Sequence, residues 1–174
     1  MEDERATGKG TKAADAGAAT GYTLCVKLIG GPVLDRFRRK NPVISRTIEI
    51  PGDRDLDELH RAIGQAFAWD EDHCWEFQLG GARPQARKAV RYGMEEDEGP
   101  PWGPPTRLAE GACLASLGLR TRSRFFYWYD FGASWWHEIR VTRTDHLPRA
   151  AQLPRIIERL GDNPPQYPDS DDEG

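Results

Sequence analysis

The alternation of apolar and polar positions along the chain predicts five strands and one main helix. In residues 22–29, Leu24, Val26 and Leu28 alternate with other positions, the period-two pattern of a strand with one buried face. Residues 43–50 repeat this pattern, and a Pro-Gly-Asp sequence follows them. Comparable segments predict three further strands, at 74–79, 124–131 and 135–143.

Residues 56–67 have the spacing of an amphipathic helix. Their apolar side chains fall on one stripe, and Asp55 and Glu58 have the positions of a capping box at its start. A short helix or turn is predicted near 110–117 and an amphipathic turn or helix at 153–160. The stripe of the main helix consists of Leu56, Leu59, Ile63, Ala66 and Phe67.

A long excursion is predicted between the third and fourth strands. Residues 80–105 are rich in Gly, Pro and charge, with four bases within 83–91 and four consecutive acids at 95–98. Such a loop can bind a partner or form a lid over a site, and a solvated insertion without a function would have the same composition. The second basic segment, 33–42, is also predicted to be a loop.

These elements predict an α+β fold with a mixed, mainly antiparallel sheet and one main helix. The order is β-β-α-β, then the long loop, then a β-β hairpin closed by 132–134, and the opening has the order of a β-grasp fold. We expect one domain at 22–160. We expect a disordered N-terminal tail at 1–21 and a Pro-rich, acidic tail at 161–174.

Composition narrows the possible functions only slightly. The chain has 174 residues and a net charge of −4, but residues 22–160 hold 19 acids and 21 bases, so bulk charge gives no argument for nucleic-acid binding. No apolar run of membrane-spanning length and no secretory signal is present, which predicts a cytoplasmic location without membrane contact. The three cysteines, Cys25, Cys74 and Cys113, have neither disulfide nor zinc-finger spacing.

Three blocks carry a resemblance to a known family. They are residues 56–77, LDELHRAIGQAFAWDEDHCWEF, residues 126–139, FYWYDFGASWWHEI, and residues 153–168, LPRIIERLGDNPPQYP. Together they resemble the plasmid pRiA4b Orf-three-like family, some of whose members are labelled insertion-element passenger proteins or TnpR. The resemblance implies a fold and a plasmid or mobile-element association, without a settled activity. Ala133 stands where the family usually has Asp.

Four polar residues are candidates for chemistry: His60, His73, Asp130 and His137. If the last two strands pack beside the helix, these groups could converge. The three imidazoles are candidate ligands of a divalent metal, and His73, Asp130 and His137 are candidate catalytic groups. Their spacing matches no metal or catalytic motif, so hydrogen bonds that fix the fold explain them equally well. No cofactor is otherwise predicted.

The aromatic segments at 124–131 and 135–136 suggest a binding surface. Rings flanked by Arg could stack on single-stranded nucleic acid or contact a protein, although half of them must face the core. We predict binding through Tyr129, Trp135, Trp136 and Arg140 in a non-catalytic accessory or interaction protein whose partner is protein or nucleic acid. The alternative is a metal-assisted or acid/base enzyme using the four polar candidates. The flanking arginines are Arg120, Arg122, Arg124, Arg140 and Arg143.

Overall fold

A computed structural model describes residues 18–98, 104–148 and 152–168, which form one eight-stranded sheet with two α-helices and a short 3₁₀ helix. The helices are α1, Asp35–Lys40, and α2, Leu56–Phe67, and the 3₁₀ helix is Leu114–Leu117. The strands are β1 Ala18–Gly30, β2 Ser45–Pro51, β3 Trp75–Leu79, β4 Val90–Gly93, β5 Thr106–Leu108, β6 Arg124–Tyr129, β7 Trp135–Pro148 and β8 Arg155–Leu160.

The sheet order is β5-β4-β3-β6-β7-β1-β2-β8. Every neighbouring pair is antiparallel except β4 and β5, which confirms the predicted α+β fold with a mixed, mainly antiparallel sheet. The predicted hairpin pairs β6 with β7, so that Trp128 lies opposite Trp136 and Tyr127 opposite His137. Among the described residues, no helix is long and apolar enough to cross a membrane.

Helix α2 covers one side of the sheet, which we call the core face. The predicted capping box is present, because the Asp55 carboxylate accepts from the Glu58 N–H at 2.9 Å and the Glu58 carboxylate accepts from the Asp55 N–H at 3.2 Å. Acidic side chains here also suit the helix dipole. The apolar stripe of α2 is buried against inward-facing side chains of the strands, including Phe77, Tyr127 and Trp135.

The opposite side of the sheet, which we call the outer face, is partly covered by residues 80–89. The Gln85 N–H donates to the Gln78 Oε1 atom at 2.6 Å, and Arg124 donates to the Ala82 carbonyl at 2.8 Å. Phe126 points to this face and is nevertheless only 2% exposed. The predicted excursion, 80–105, therefore contains two ordered parts. Residues 80–89 pack on the sheet, and strand β4 follows them.

Several predicted elements differ from the observed ones. Residues 153–160 were expected to form a turn or helix, and this is wrong, because β8 pairs there with β2. The segment 33–42 contains α1, β1 begins four residues before the predicted position 22, and the described part of the C-terminal tail, 161–168, packs on the domain. Residues 1–17 and 169–174 of the predicted tails lie outside the described residues.

Candidate functional site

His60 lies in the core, between α2 and the sheet. Its Nδ1 atom is 2.7 Å from the Tyr127 hydroxyl, and its ring stacks on Trp75 with centroids 4.3 Å apart. Burial lowers the pKa of His60 to about 4, with the nearby Arg61 charge acting in the same direction, so the imidazole is neutral at physiological pH. His60 also lines a surface cleft of about 340 Å³ together with Glu71.

His137 is completely buried on the core face of β7. Phe67 and Trp69 contact it edge-on, and Tyr127 lies 5.4 Å away between ring centroids. Neither ring nitrogen has a hydrogen-bond partner among the described residues. Burial lowers the pKa of His137 to about 3. The Tyr127 backbone opposes this with a smaller effect, although its geometry falls short of a hydrogen bond to either ring nitrogen. His137 is thus a neutral core side chain.

His73 and Asp130 form a separate pair at the end of the β6–β7 hairpin. The His73 Nε2 atom is 3.7 Å from the Asp130 carboxylate and shares a 2.5 Å hydrogen bond with the Tyr167 hydroxyl. The other Asp130 oxygen accepts from the N–H groups of Gly132 and Ala133 at 3.1 and 3.0 Å. The main role of this carboxylate is therefore to fix the turn, a role that Asp often fills.

The four polar candidates lie in two places: His60 and His137 lie in the core, and His73 and Asp130 lie at the hairpin corner. The Tyr129 ring is near a histidine of each group. The Tyr129 ring centroid is 6.2 Å from that of His60 and 6.0 Å from that of His73. Among residues 18–98, 104–148 and 152–168, no group of three or more His, Cys, Asp or Glu side chains is placed to hold a metal ion. The convergence of His60, His73 and His137 on one ligand is thus not found in these ranges.

Two polar side chains, those of Arg46 and Trp69, anchor residues 161–168, which we call the C-terminal segment, and neither is among the site residues predicted from the sequence. The buried Arg46 guanidinium donates to the Ala66 carbonyl at 3.1 Å, to the Leu160 carbonyl at 2.9 Å and to the Asn163 side chain. The Trp69 indole N–H donates to the Pro164 carbonyl at 3.1 Å. The sequence does contain a signal for the burial of Arg46. It lies two positions before the buried Ile48 on β2, so both side chains face the same side of the sheet.

The predicted aromatic binding residues divide between the two faces of the sheet. Trp135 and Tyr129 are 0% and 2% exposed, so neither side chain is accessible to a partner. Trp136 points to the outer face and stacks on Trp128, with centroids 4.9 Å apart and planes 9° apart. Phe131 continues the stack 4.1 Å from Trp128 and is 43% exposed. We call Trp128, Phe131 and Trp136 the outer aromatic stack.

An arginine-lined cleft lies further along the same two strands. Arg122, Arg124 and Arg140 border an open cleft of about 520 Å³ together with residues 80–82. Arg124 and Arg140 both contact the Glu138 carboxylate, at 3.4 and 3.2 Å, which holds their side chains in place. Arg140 is one of the predicted binding residues, Arg122 and Arg124 are among the predicted flanking arginines, and the structure brings all three together.

Comparison with known proteins is consistent with this fold. An uncharacterised protein from Sinorhizobium fredii, y4hQ, is 29% identical over 127 residues, which are 72% of this chain and 59% of that protein, so this chain spans less than two thirds of that relative. A crystal structure of a protein of unknown function from Methanosarcina mazei, MM3350, matches with a TM-score of 0.64 and 23% identity, covering 80% of this chain and 69% of the other. At that identity the likeness shows the fold alone.

Family membership follows from a match that covers more than half of the chain. The profile of the plasmid pRiA4b ORF-3-like proteins matches residues 36–169, which include the main helix, the β6–β7 hairpin and the C-terminal segment. These are also the places of the three blocks that carried the resemblance. This chain belongs to the plasmid pRiA4b ORF-3-like protein family.

Proposed function

We propose that this chain is a non-catalytic binding domain that takes its partner on the outer face of the sheet. The observation that supports this most directly is the outer aromatic stack. Trp128 stacks on both Trp136 and Phe131, with planes 9° and 27° apart, and all three residues remain partly or largely exposed. Rigid aromatic side chains that remain partly accessible are typical of binding surfaces, because they lose little conformational entropy on contact.

The position of the polar candidates favours binding over catalysis. His60 and His137 are buried and neutral in the aromatic core, whereas His73 and Asp130 hold the hairpin corner and the C-terminal segment. An acid/base enzyme would need such groups together within reach of one substrate. The contacts of all four are instead those of residues that maintain the fold. A cytoplasmic location and an association with mobile elements stay predictions.

Photo-crosslinking tests this proposal directly. A photoreactive benzoylphenylalanine in place of Phe131 should give a discrete adduct in the native cell, and the adduct should be lost when Trp136→Ala is added. The matched control is the same probe at Ile157 on β8, which is 47% exposed and lies at the edge of the sheet. Equal labelling from both positions, or no adduct from Phe131, would contradict the proposal.

A further inference from the structure

We infer that the partner of the outer face is single-stranded nucleic acid, with bases on the outer aromatic stack and phosphates in the arginine-lined cleft. This inference rests on the proposed function and names the class of its partner. It is supported by the relation between the two features, which lie on the same face of the same two strands. Trp128 and Trp136 are one cross-strand pair, and Arg124 and Arg140 are another.

The spacing of these two pairs suits a short stretch of nucleotides. Trp128 lies four positions after Arg124 along β6, which corresponds to about 14 Å of extended strand. Single-stranded nucleic acid is commonly bound by aromatic rings that stack on successive bases beside a positively charged groove that follows the backbone. A duplex keeps its bases stacked inside and cannot use such rings in this way.

The local charge supports the same partner, although the whole chain is acidic. Glu138 forms ion pairs with both Arg124 and Arg140, and the exposed Lys27 occupies the neighbouring position on β1, so positive charges outnumber the one carboxylate here. Arg122 adds a fourth cation at the cleft, and no described residue forms a hydrogen bond or ion pair with its side chain. The excess positive charge is therefore concentrated at the cleft, where it can bind phosphate.

Acidic residues beside Phe131 restrict the path that a bound nucleic-acid strand can take. Phe131 lines a cleft of about 340 Å³ that is distinct from the His60 cleft and is also lined by Glu95 and Asp97. Phosphates are repelled from these carboxylates. The backbone of a bound strand should therefore run from the aromatic stack toward Arg122 and Arg140, rather than across the acidic segment.

Fluorescence anisotropy with labelled 12-nucleotide oligo(dT) and oligo(rU) tests the inference. Trp136→Ala should weaken binding roughly 5- to 150-fold through the loss of one stacked base. The double variant Arg122→Gln/Arg140→Gln should weaken binding at least tenfold and reduce the slope of log affinity against log salt by about 1.4, as expected for two lost phosphate contacts. The charge-matched control, Arg39→Gln/Lys40→Gln, changes exposed residues of α1 and should have little effect.

Each outcome has a definite meaning. Binding of either oligonucleotide with these losses supports the inference, and a preference between them identifies DNA or RNA as the source. No binding by the unchanged chain, binding that the cleft and stack variants leave intact, or equal affinity for a duplex of the same length overturns it. If no oligonucleotide binds but the probe at position 131 still gives its specific adduct in the cell, the outer face binds a different partner and the proposed function survives. If neither oligonucleotide binding nor the adduct is seen, both the proposed function and the nucleic-acid inference are wrong.

Discussion

The Nδ1 atom of His60 and the hydroxyl of Tyr127 lie 2.7 Å apart in the core, where one hydrogen bond joins α2 to the centre of the sheet. Tyr127 is 1% exposed, and burial raises the pKa of its hydroxyl well above the usual value. The hydroxyl therefore stays protonated and able to donate to the neutral imidazole. This bond explains why an imidazole is tolerated on the buried side of α2, since a buried polar atom without a partner is costly.

Tyr127→Phe should therefore lower the free energy of unfolding by about 1–3 kcal/mol, because it leaves the His60 nitrogen buried and unpaired. Urea denaturation followed by circular dichroism measures this change. Tyr22→Phe is the matched control, since Tyr22 is also buried at 4% exposure but no hydrogen bond is found for its hydroxyl among the described residues. If both variants lose the same stability, the His60–Tyr127 bond has no special role in the core.

The two buried imidazoles should make the fold sensitive to acid. In the folded chain the pKa of His60 is about 4 and that of His137 about 3, whereas in an unfolded chain both are about 6.5. The unfolded state thus binds more protons below pH 6.5. Stability is complete above that value and falls as the pH decreases toward 4, by up to about 1.4 kcal/mol per pH unit for each histidine.

His137→Leu should reduce this pH dependence, because it removes one of the two groups while keeping an apolar core. The measurement is the free energy of unfolding at several pH values between 4 and 7, compared between the variant and the unchanged chain. Phe77→Leu serves as control, since it alters the core without changing any titratable group. An unchanged slope in His137→Leu would show that His137 is not kept neutral by burial.

Arg46 should be essential for holding the C-terminal segment on the domain. Arg46→Lys keeps the charge but loses the planar guanidinium that reaches Ala66, Leu160 and Asn163 together. We expect a loss of at least ~2 kcal/mol in unfolding free energy. We also expect faster proteolysis within 161–168, as measured by mass spectrometry of timed digests.

The control for this variant is Arg61→Lys. Arg61 pairs with Asp57 at the surface of α2 and is 58% exposed at its side chain, so the expected loss is less than ~1 kcal/mol. Equal losses at the two positions, or an unaltered digestion rate in Arg46→Lys, would show that Arg46 does not hold the segment.

The sequence predicted the elements whose signals are local. The length of α2, its capping box and the β6–β7 hairpin all depend on residues close together in the chain, and they were predicted correctly. Strand β8 was missed because its only sheet neighbour is β2, so that Ile156 pairs with Ile48 more than a hundred residues away. No periodic signal within 153–160 indicates that long-range partner.

The site was harder to predict than the fold for a related reason. Strand parity indicates that some rings of β6 and β7 must face inward, but without the position of α2 it does not say which side is the core. The structure assigns Tyr129 and Trp135 to the core and Trp136 to the outer face. The arginine-lined cleft depends on residues 80–82 packing beside β6, a tertiary contact without a sequence motif.

The indole N–H signals of the tryptophans report whether single-stranded nucleic acid binds to the outer face. Titration of ¹⁵N-labelled protein with unlabelled oligo(dT) and oligo(rU) should shift the signals of Trp128 and Trp136 on the outer face. The signals of the buried Trp69, Trp75 and Trp135 should move much less, which provides controls within the same spectrum. If nucleic acid binds to the outer face, the signals of the outer pair shift selectively; an unchanged spectrum, or shifts confined to the buried rings, would exclude binding there.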